Sequence, residues 1–458
     1  MTIGDVLRTA ALSVVLAGTA TAETLPSALA RAYMNNPDLN AGRASLRAID
    51  ENVPRALSGY RPSVAATASA GATYETGRTG SSGVLANTRD ALFPRQAALQ
   101  VTQNLFNGFR TANSVREAES GVLGARETLR QTEGDTLFSA AQAYMDVLRD
   151  TATLDLHRNN VEVLEEQLRQ TRERYTAGEV TRTDIAQAEA RLEASRSQVS
   201  LAQANLQSSI ATFRRIIGVE PRQLAAGKPP DQLIPSSLAQ AVRIALAEHP
   251  AILSALHAVD AAELQVKVVE GELAPSLNLV GSVGGGYDTS VPGDRSVTAA
   301  FGAQLTVPLY EGGETYARVR QAKEVAGQRR IEAEATRDAV RSALFSAWGA
   351  LESAKANVIS AQAQVAASEV ALTGVREEAR AGQRTTLDVL NQQQELLIAR
   401  VNLIVAQRDR VVGAFSVAQA VGRLNAASLA LRVPTYRPGA HYEAVRDLPW
   451  GLTTPDGR

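Results

Sequence analysis

The stretch RYTAGEVTRTDIAQAEARLEASRSQVSLAQANL, from Arg174 to Leu206, has a counterpart 204 residues later in EARAGQRTTLDVLNQQQELLIARVNLIVAQ, from Glu378 to Gln407. In both, a polar helical pattern halts at a glycine, Gly178 or Gly382, and restarts on a threonine with an aspartate soon after. A glycine just past a helical run takes the left-handed conformation that closes a helix C-terminus. A threonine hydroxyl can then accept from the free amides that open the next helix. Thr181 or Thr183 serves that role in the first copy, and Thr385 or Thr386 in the second. Each passage reads as a tight turn that reverses a long helix, with tips at 176–184 and 380–388.

The duplication extends well beyond the turns. At an offset of 213, Asn35 to Pro37 (NNP) meets Glu248 to Pro250 (EHP), Pro62-Ser63 meets Pro275-Ser276, and Ser69, Gly71 and Tyr74 meet Ser282, Gly284 and Tyr287. At 204, Gln100, Thr102, Leu105 and Gly108 meet Gln304, Thr306, Leu309 and Gly312. Ala177, Asp184 and Gly218 then meet Ala381, Asp388 and Gly422. The nine-residue difference between the offsets falls between Tyr74 and Gln100, as an insertion in one connecting loop. A period this long marks a duplicated domain rather than a solenoid.

Proline, which breaks helices, is absent from Arg95 to Glu220 and from Leu309 to Val433. Within the first gap Ala140, Val147, Leu154, Val161, Leu168 and Tyr175 recur every seventh residue; after Gly178 the series Ile185, Ala188, Leu192, Ser195, Val199, Ala202 steps by three and four. The second gap repeats this from Leu344 through Ala347, Leu351, Ala354, Val358 and Ala361 to Ala379. Such heptads predict coiled-coil hairpins. The 69 residues between Gly108 and Gly178 would form a rod of roughly 100 Å. Seams of Ala, Ser and Thr suit helices laid side by side in a wide wall.

The remaining segments alternate with period two. SLNLVGSV from Ser276 puts Leu277, Leu279, Gly281 and Val283 on one face, and TAAFGAQLTVPL from Thr298 puts Ala299, Phe301, Ala303, Leu305, Val307 and Leu309 on one face. Ser63–Tyr74 and Gln96–Phe106 are weaker counterparts. Each is long enough for a tilted strand to cross a bilayer, with one apolar and one polar face. Loops rich in Gly, Ser and Asp, from Glu75 to Phe93 and from Asp288 to Arg295, join them as two hairpins. Four strands cannot close on themselves, and an open edge in lipid leaves backbone groups unpaired at several kcal/mol each. Closure therefore requires other chains. Two copies supply eight strands, a barrel filled by side chains; three supply twelve, wide enough for a water-filled lumen.

Composition agrees with thin helical seams. Of 458 residues 45% are hydrophobic but only 4% aromatic, and Lys+Arg 47 against Asp+Glu 48 gives a net charge of -1, with no field to favour nucleic acid. Residues 1–22 end in Ala20-Thr21-Ala22 after a weakly apolar stretch and read as a signal peptide. Zero cysteines in an exported chain fit the periplasm or outer membrane rather than a disulfide-framed module. The expected organisation is a first repeat at 23–217 (helices 25–58, β-hairpin 60–106, helical hairpin 109–217) and a linker at 218–234. A second repeat at 235–425 (helices 235–272, β-hairpin 274–310, helical hairpin 312–425) and a C-terminal segment at 426–458 follow.

The chain resembles the TolC family of outer-membrane channel proteins, in its type I secretion branch. The resemblance rests on the duplicated order of elements, the tip motifs RYTAGEVTRTDIAQAEARL and RAGQRTTLDVLNQQQEL, QLTVPLYEGG leading from the fourth strand into a helix, and PTYRPGAHYEAVRD before WG. It implies a homotrimer whose four strands per chain close a 12-stranded outer-membrane barrel, continuous with a periplasmic α-helical barrel. An equatorial region of short elements and chain ends would surround it. It also implies an exit duct, without cofactor, that engages a periplasmic membrane-fusion adaptor and an inner-membrane ABC or RND-type pump, for type I secretion of proteins or efflux of small toxic compounds.

The resemblance further implies a gate. Arg384 would reach Thr183 and Asp184, and Asp388 would ring the constriction; Gly178, Glu179, Val180, Gly382 and Gln383 would form the turns that meet the adaptor. Ala379 stands where the family has a latch tyrosine, and Asn391 where it has a second acidic ring position, which implies a weaker latch and fewer ring charges. The plainer alternative makes Asp184 and Asp388 first-turn residues that complement helix dipoles.

VGGGYD, from Val283, lacks the lysine and helix of a phosphate loop, and His157, His249, His257 and His441 show no ligand spacing. No nucleophile–base constellation suggests an enzyme. The rival from another class is a periplasmic coiled-coil adaptor or structural rod without a pore, for which the four alternating strands would have no use.

Overall fold

The computed structural model describes residues 23–81, 84–455 and 457. The expected signal peptide at 1–22 lies outside them. The first half runs α1 (Leu25–Asn35), α2 (Pro37–Asp50), α3 (Asn52–Leu57), β1 (Ser63–Ala70), β2 (Thr73–Ser81), β3 (Val84–Leu92), β4 (Arg95–Asn107), α4 (Arg110–Thr176) and α5 (Arg182–Ile217). The second runs α6 (Leu238–Glu248), α7 (Pro250–Glu270), β5 (Ser276–Tyr287), β6 (Arg295–Thr306), α8 (Glu314–Arg380) and α9 (Thr386–Ala420), and a short α10 (Pro438–Val445) follows.

One antiparallel sheet of order β1-β4-β5-β6 joins the two halves. Its register sorts side chains as the alternation predicts. Val64 stands opposite Val101, Leu99 opposite Val283, Leu277 opposite Leu305 and Gly281 opposite Phe301, all on one face. Gln100 and Ser282, Asn278 and Gln304, and Ser63 and Thr102 pair on the other. A bulge between Asn104 and Phe106 leaves Leu105 without a partner in β5. The apolar face is bare: Phe301 is 79% and Val297 84% exposed. Among the described residues no helix is long and apolar enough to cross a membrane.

One expectation is corrected here. The segment Glu75–Phe93 is not a loop: β2 and β3 pair as a separate antiparallel ribbon, from Thr73 opposite Leu92 to Ser81 opposite Val84. β1 accordingly stops at Ala70, and the Gly71 amide donates to the Pro94 carbonyl at 2.9 Å where the chain leaves the sheet. The glycine- and serine-rich sequence of this segment shows no alternating apolar pattern from which a strand pair could be read.

Beneath the sheet, α4 packs against α5, α7 and α9, and α8 against α6, α7 and α9. α7 and α9 thus share one slot between the long helices, stacked end to end, and α2 and α5 meet likewise beside α4. At the first joint Asn36 accepts from the Leu39 amide at 3.0 Å to cap α2, and its Nδ2 donates to the Ile216 carbonyl at the end of α5 at 3.0 Å. At the second, His249 Nδ1 accepts from the Ala251 amide at 3.2 Å, and Gly422, just past α9, lies against the His249 backbone. The largest apolar cluster, with Tyr144, Phe213 and Phe415 fully enclosed, lies at this level. The Tyr144 hydroxyl contacts the Glu23 carbonyl at 2.7 Å and the Ala225 carbonyl at 2.6 Å, tying the start of the described chain and the linker to α4.

The seams of the long helices follow the heptads. In α8 the residues Val319, Ala326, Ala333, Val340, Ala347, Ala354 and Ala361, seven apart, are all buried. In α5 Ala188, Leu192, Ser195 and Ala202 are buried, and Ser195 accepts from buried Asn160 of α4 at 3.0 Å. Tyr175, read as a seam residue, is instead 44% exposed, because the seam of α4 ends at Thr171 and the last turn already belongs to the reversal.

Candidate functional site

The two tips share one backbone design. After Ala177, Gly178 turns left-handed at φ 79°; its amide donates to the Tyr175 carbonyl at 3.0 Å, and the Glu179 amide to the Arg174 carbonyl at 2.9 Å. After Ala381, Gly382 turns at φ 75°, with its amide on the Ala379 carbonyl at 3.1 Å and the Gln383 amide on the Glu378 carbonyl at 2.9 Å. This paired closure satisfies carbonyls that a helix end otherwise leaves orphaned.

The restart is equally matched. Thr181 Oγ1 accepts from the Asp184 amide at 3.3 Å while Asp184 Oδ2 accepts from the Thr181 amide at 2.8 Å. Thr385 and Asp388 exchange the same bonds at 3.2 and 2.9 Å. Of the threonines the sequence offered, Thr181 and Thr385 are the caps; Thr183 and Thr386 fall inside the helices. Donation from the cap amides, reinforced by the threonine hydroxyls, holds the carboxyls of Asp184 and Asp388 below the ordinary aspartate range. Both aspartates carry the helix-start role, and both remain at the surface.

On this common backbone the charges are reversed. Four residues before the tip glycine stands Arg174 in the first copy and Glu378 in the second. Arg174 Nε donates to Glu179 at 3.0 Å, and Arg384 Nε donates to Glu378 at 2.9 Å. Glu378 pushes the Arg384 guanidinium further up from its already high value. Within the single chain Arg384 is therefore held on its own hairpin and not on Thr183 or Asp184. Yet Asp184, Val180, Ala379, Gly382 and Arg384 line one open groove of about 940 Å³ between the tips. Thr183 is exposed on the first turn of α5.

Asn391 stands apart from that groove. Its Oδ1 accepts from Arg191 Nη2 at 2.9 Å, linking α9 to α5, while Leu390 beside it closes an apolar cluster with Leu164, Leu168, Ala188 and Leu192. Arg174, Glu378 and Arg191 were not singled out from the sequence. The first two were visible as a reversed charge at matching repeat positions; Arg191 carried no such signal.

The family model for outer membrane efflux proteins matches residues 28–219 and 241–423, one segment in each half. The outer membrane efflux protein BepC of Brucella suis is 41% identical, covering 98% of this chain and 97% of that protein. The alkaline protease secretion protein AprF of Pseudomonas aeruginosa is 27% identical, covering 77% of this chain and 74% of that one. Among solved structures, the CmeC outer membrane channel of Campylobacter jejuni superposes with a TM-score of 0.77 at 18% identity, covering 92% of this chain and 89% of that one.

Proposed function

Because the chain belongs to the outer membrane efflux protein family, we propose that its paired tips form the periplasmic gate of an export duct, shut by exchange of ion-pair partners. The protein is an outer-membrane export channel rather than an enzyme. Channels of this family are trimeric and work with periplasmic adaptors and inner-membrane pumps. In a trimer, β6 of one chain meets β1 of the next, so the two open edges of the sheet are paired and the apolar face meets lipid.

The carrying observation is that Arg384 and Asp184, of opposite charge and both at the surface, flank one groove while Arg384 is held by Glu378. In the closed ring Arg384 leaves Glu378 for Thr183 and Asp184 of a first tip, and Asp388 faces the constriction. Exposed ion pairs are weak and readily exchanged, so docking of an adaptor on Gly178–Val180 and Gly382–Gln383 suffices to bias the two arrangements. Asn391, engaged by Arg191, steadies α5 against α9 rather than adding a ring charge. The stronger likeness to an efflux protein favours small toxic compounds as cargo; the weaker likeness to a protease secretion protein supports protein cargo as the second reading.

Arg384→Glu places two acids side by side on the second tip and removes the cation from the groove. Single-channel conductance in planar bilayers should rise severalfold. Unchanged conductance with the oligomer intact would reject the latch.

A further inference from the structure

The end of the sheet remote from the helices carries a cluster that conduction does not use. Register sets Arg95, Tyr287 and Arg295 in one row across β4, β5 and β6. Counted in twos along each strand, the row lies on the face of Leu99, Val283 and Phe301, which meets lipid. The Arg95 and Arg295 guanidinium carbons lie 5.7 Å and 5.5 Å from the centroid of the Tyr287 ring. Both arginines are exposed, and among the described residues neither joins an ion pair. Of the acids in the adjoining turn, Asp288 feels the charge of Arg95 without forming an ion pair with it, and the carboxylates of both acids are held by backbone amides. Asp288 accepts from the Phe93 and Gly293 amides at 2.8 and 2.6 Å, and Asp294 from the Thr289 and Ser290 amides at 2.6 and 3.2 Å. At the helical end of the same face, the row of Phe106, Leu277 and Leu305 bears no charge.

Two guanidiniums beside one aromatic ring, at the boundary between an apolar band and water, have no ion-pair partner among the described residues and leave their donors open to an anion. The planar fork of arginine matches the paired oxygens of a phosphate, and the ring holds both cations near one spacing. The anions found at that depth, beside a lipid-facing surface, are headgroups. We propose that Arg95, Tyr287 and Arg295 bind the phosphorylated headgroup of a lipid in the outward-facing leaflet. The site rests on the apolar face of the sheet meeting lipid.

The test uses the full chain in non-ionic detergent, delipidated and incubated with a phosphorylated glycolipid, its dephosphorylated counterpart or inorganic phosphate, and read by native mass spectrometry. The phosphorylated lipid should be retained, and Arg95→Gln with Arg295→Gln should lower its occupancy about tenfold, as expected for loss of charge-assisted bonds. Equal occupancy in that variant, or equal retention of the dephosphorylated lipid, overturns the proposal. Competition by millimolar inorganic phosphate would make this a soluble-anion site and overturn it too. If the double variant fails to assemble, Arg95→Lys with Arg295→Lys decides: it keeps the charge but loses the fork, so occupancy should fall, and unchanged occupancy counts against the site. Outer-membrane fractionation and conductance, normal in either variant, keep failure of the site distinct from failure of the channel reading.

Discussion

At the joint of the first half, Asn36 caps α2 with its oxygen and holds the last carbonyl turn of α5 with its nitrogen. At the matching joint of the second half, His249 caps α7 through Nδ1, and the end of α9 is held by closeness of backbone at Gly422 instead. An amide side chain offers donor and acceptor together and does not titrate. An imidazole accepts only while that nitrogen is unprotonated. Duplication copied the joint, and the second copy came to depend on a tighter approach and on pH.

One methyl group added at each joint should separate the two halves most. Gly218 and Gly422 both sit at positive φ, 87° and 82°, so alanine should cost each about 1–2 kcal/mol from the left-handed backbone. A Cβ on Gly422 would also fall 2.9 Å from the His249 Cα and the Pro250 Cδ, whereas at Gly218 the neighbour is the Asn35 Cβ at 3.6 Å. Gly422→Ala should therefore lose a further ~1–3 kcal/mol from overpacking. Thermal unfolding of the purified protein should show the larger fall in Tm for Gly422→Ala; equal falls would mean that the second joint is no tighter than the first.

A smaller effect separates the joints by pH. Burial lowers the His249 pKa from 6.5, reinforced by Arg130 and opposed by Asp135. A histidine whose folded pKa is depressed contributes its full stability above the unfolded value and loses it as pH falls through the folded one. Stability should decline below about pH 6.5, and His249→Asn, which copies the first joint, should flatten that decline. An unaltered profile in His249→Asn would assign the pH dependence to other groups.

The smallest expected effect lies at the tips. Thr181→Ala and Thr385→Ala should each cost about 1 kcal/mol, in equal measure despite the reversed charges around them. Hydrogen exchange at the first turns of α5 and α9 would read this directly. Because Asp184 and Asp388 are held below 3.8, their contribution is present above that pH and is lost only as pH falls through the lower folded values. Exchange at both turns should quicken together in that acid range. Quickening at one tip alone would show that the charge reversal, not the shared cap, governs it.

What the sequence made legible is what depends on local order. Gly178 and Gly382 declare their turns because few residues other than glycine take the left-handed conformation, and the seams of α5 and α8 declare themselves through heptads. The faces of the sheet follow from alternation alone. The ribbon of β2 and β3 was hidden, since its sequence is rich in Gly, Ser and Thr and shows no apolar period of two. So was the pairing of Arg191 with Asn391, which depends on how far α5 has slid along α9, an axial offset that no short motif encodes. Arg384 was found, but its partner in the single chain, Glu378, lies just before the turn, where only folding of the reversal brings it near.

Below the joint of the second half the seam of α8 steps from Ala354 to Ala361, and these small residues carry one more consequence. Methyl groups interlock shallowly and gain little dispersion energy per turn, so neighbouring helices can roll past one another without tearing large side chains from their sockets. The contacts there are shallower than those at the level of the joints, where Tyr144, Phe213 and Phe415 are fully enclosed, so slip between helices costs least along the alanine seam.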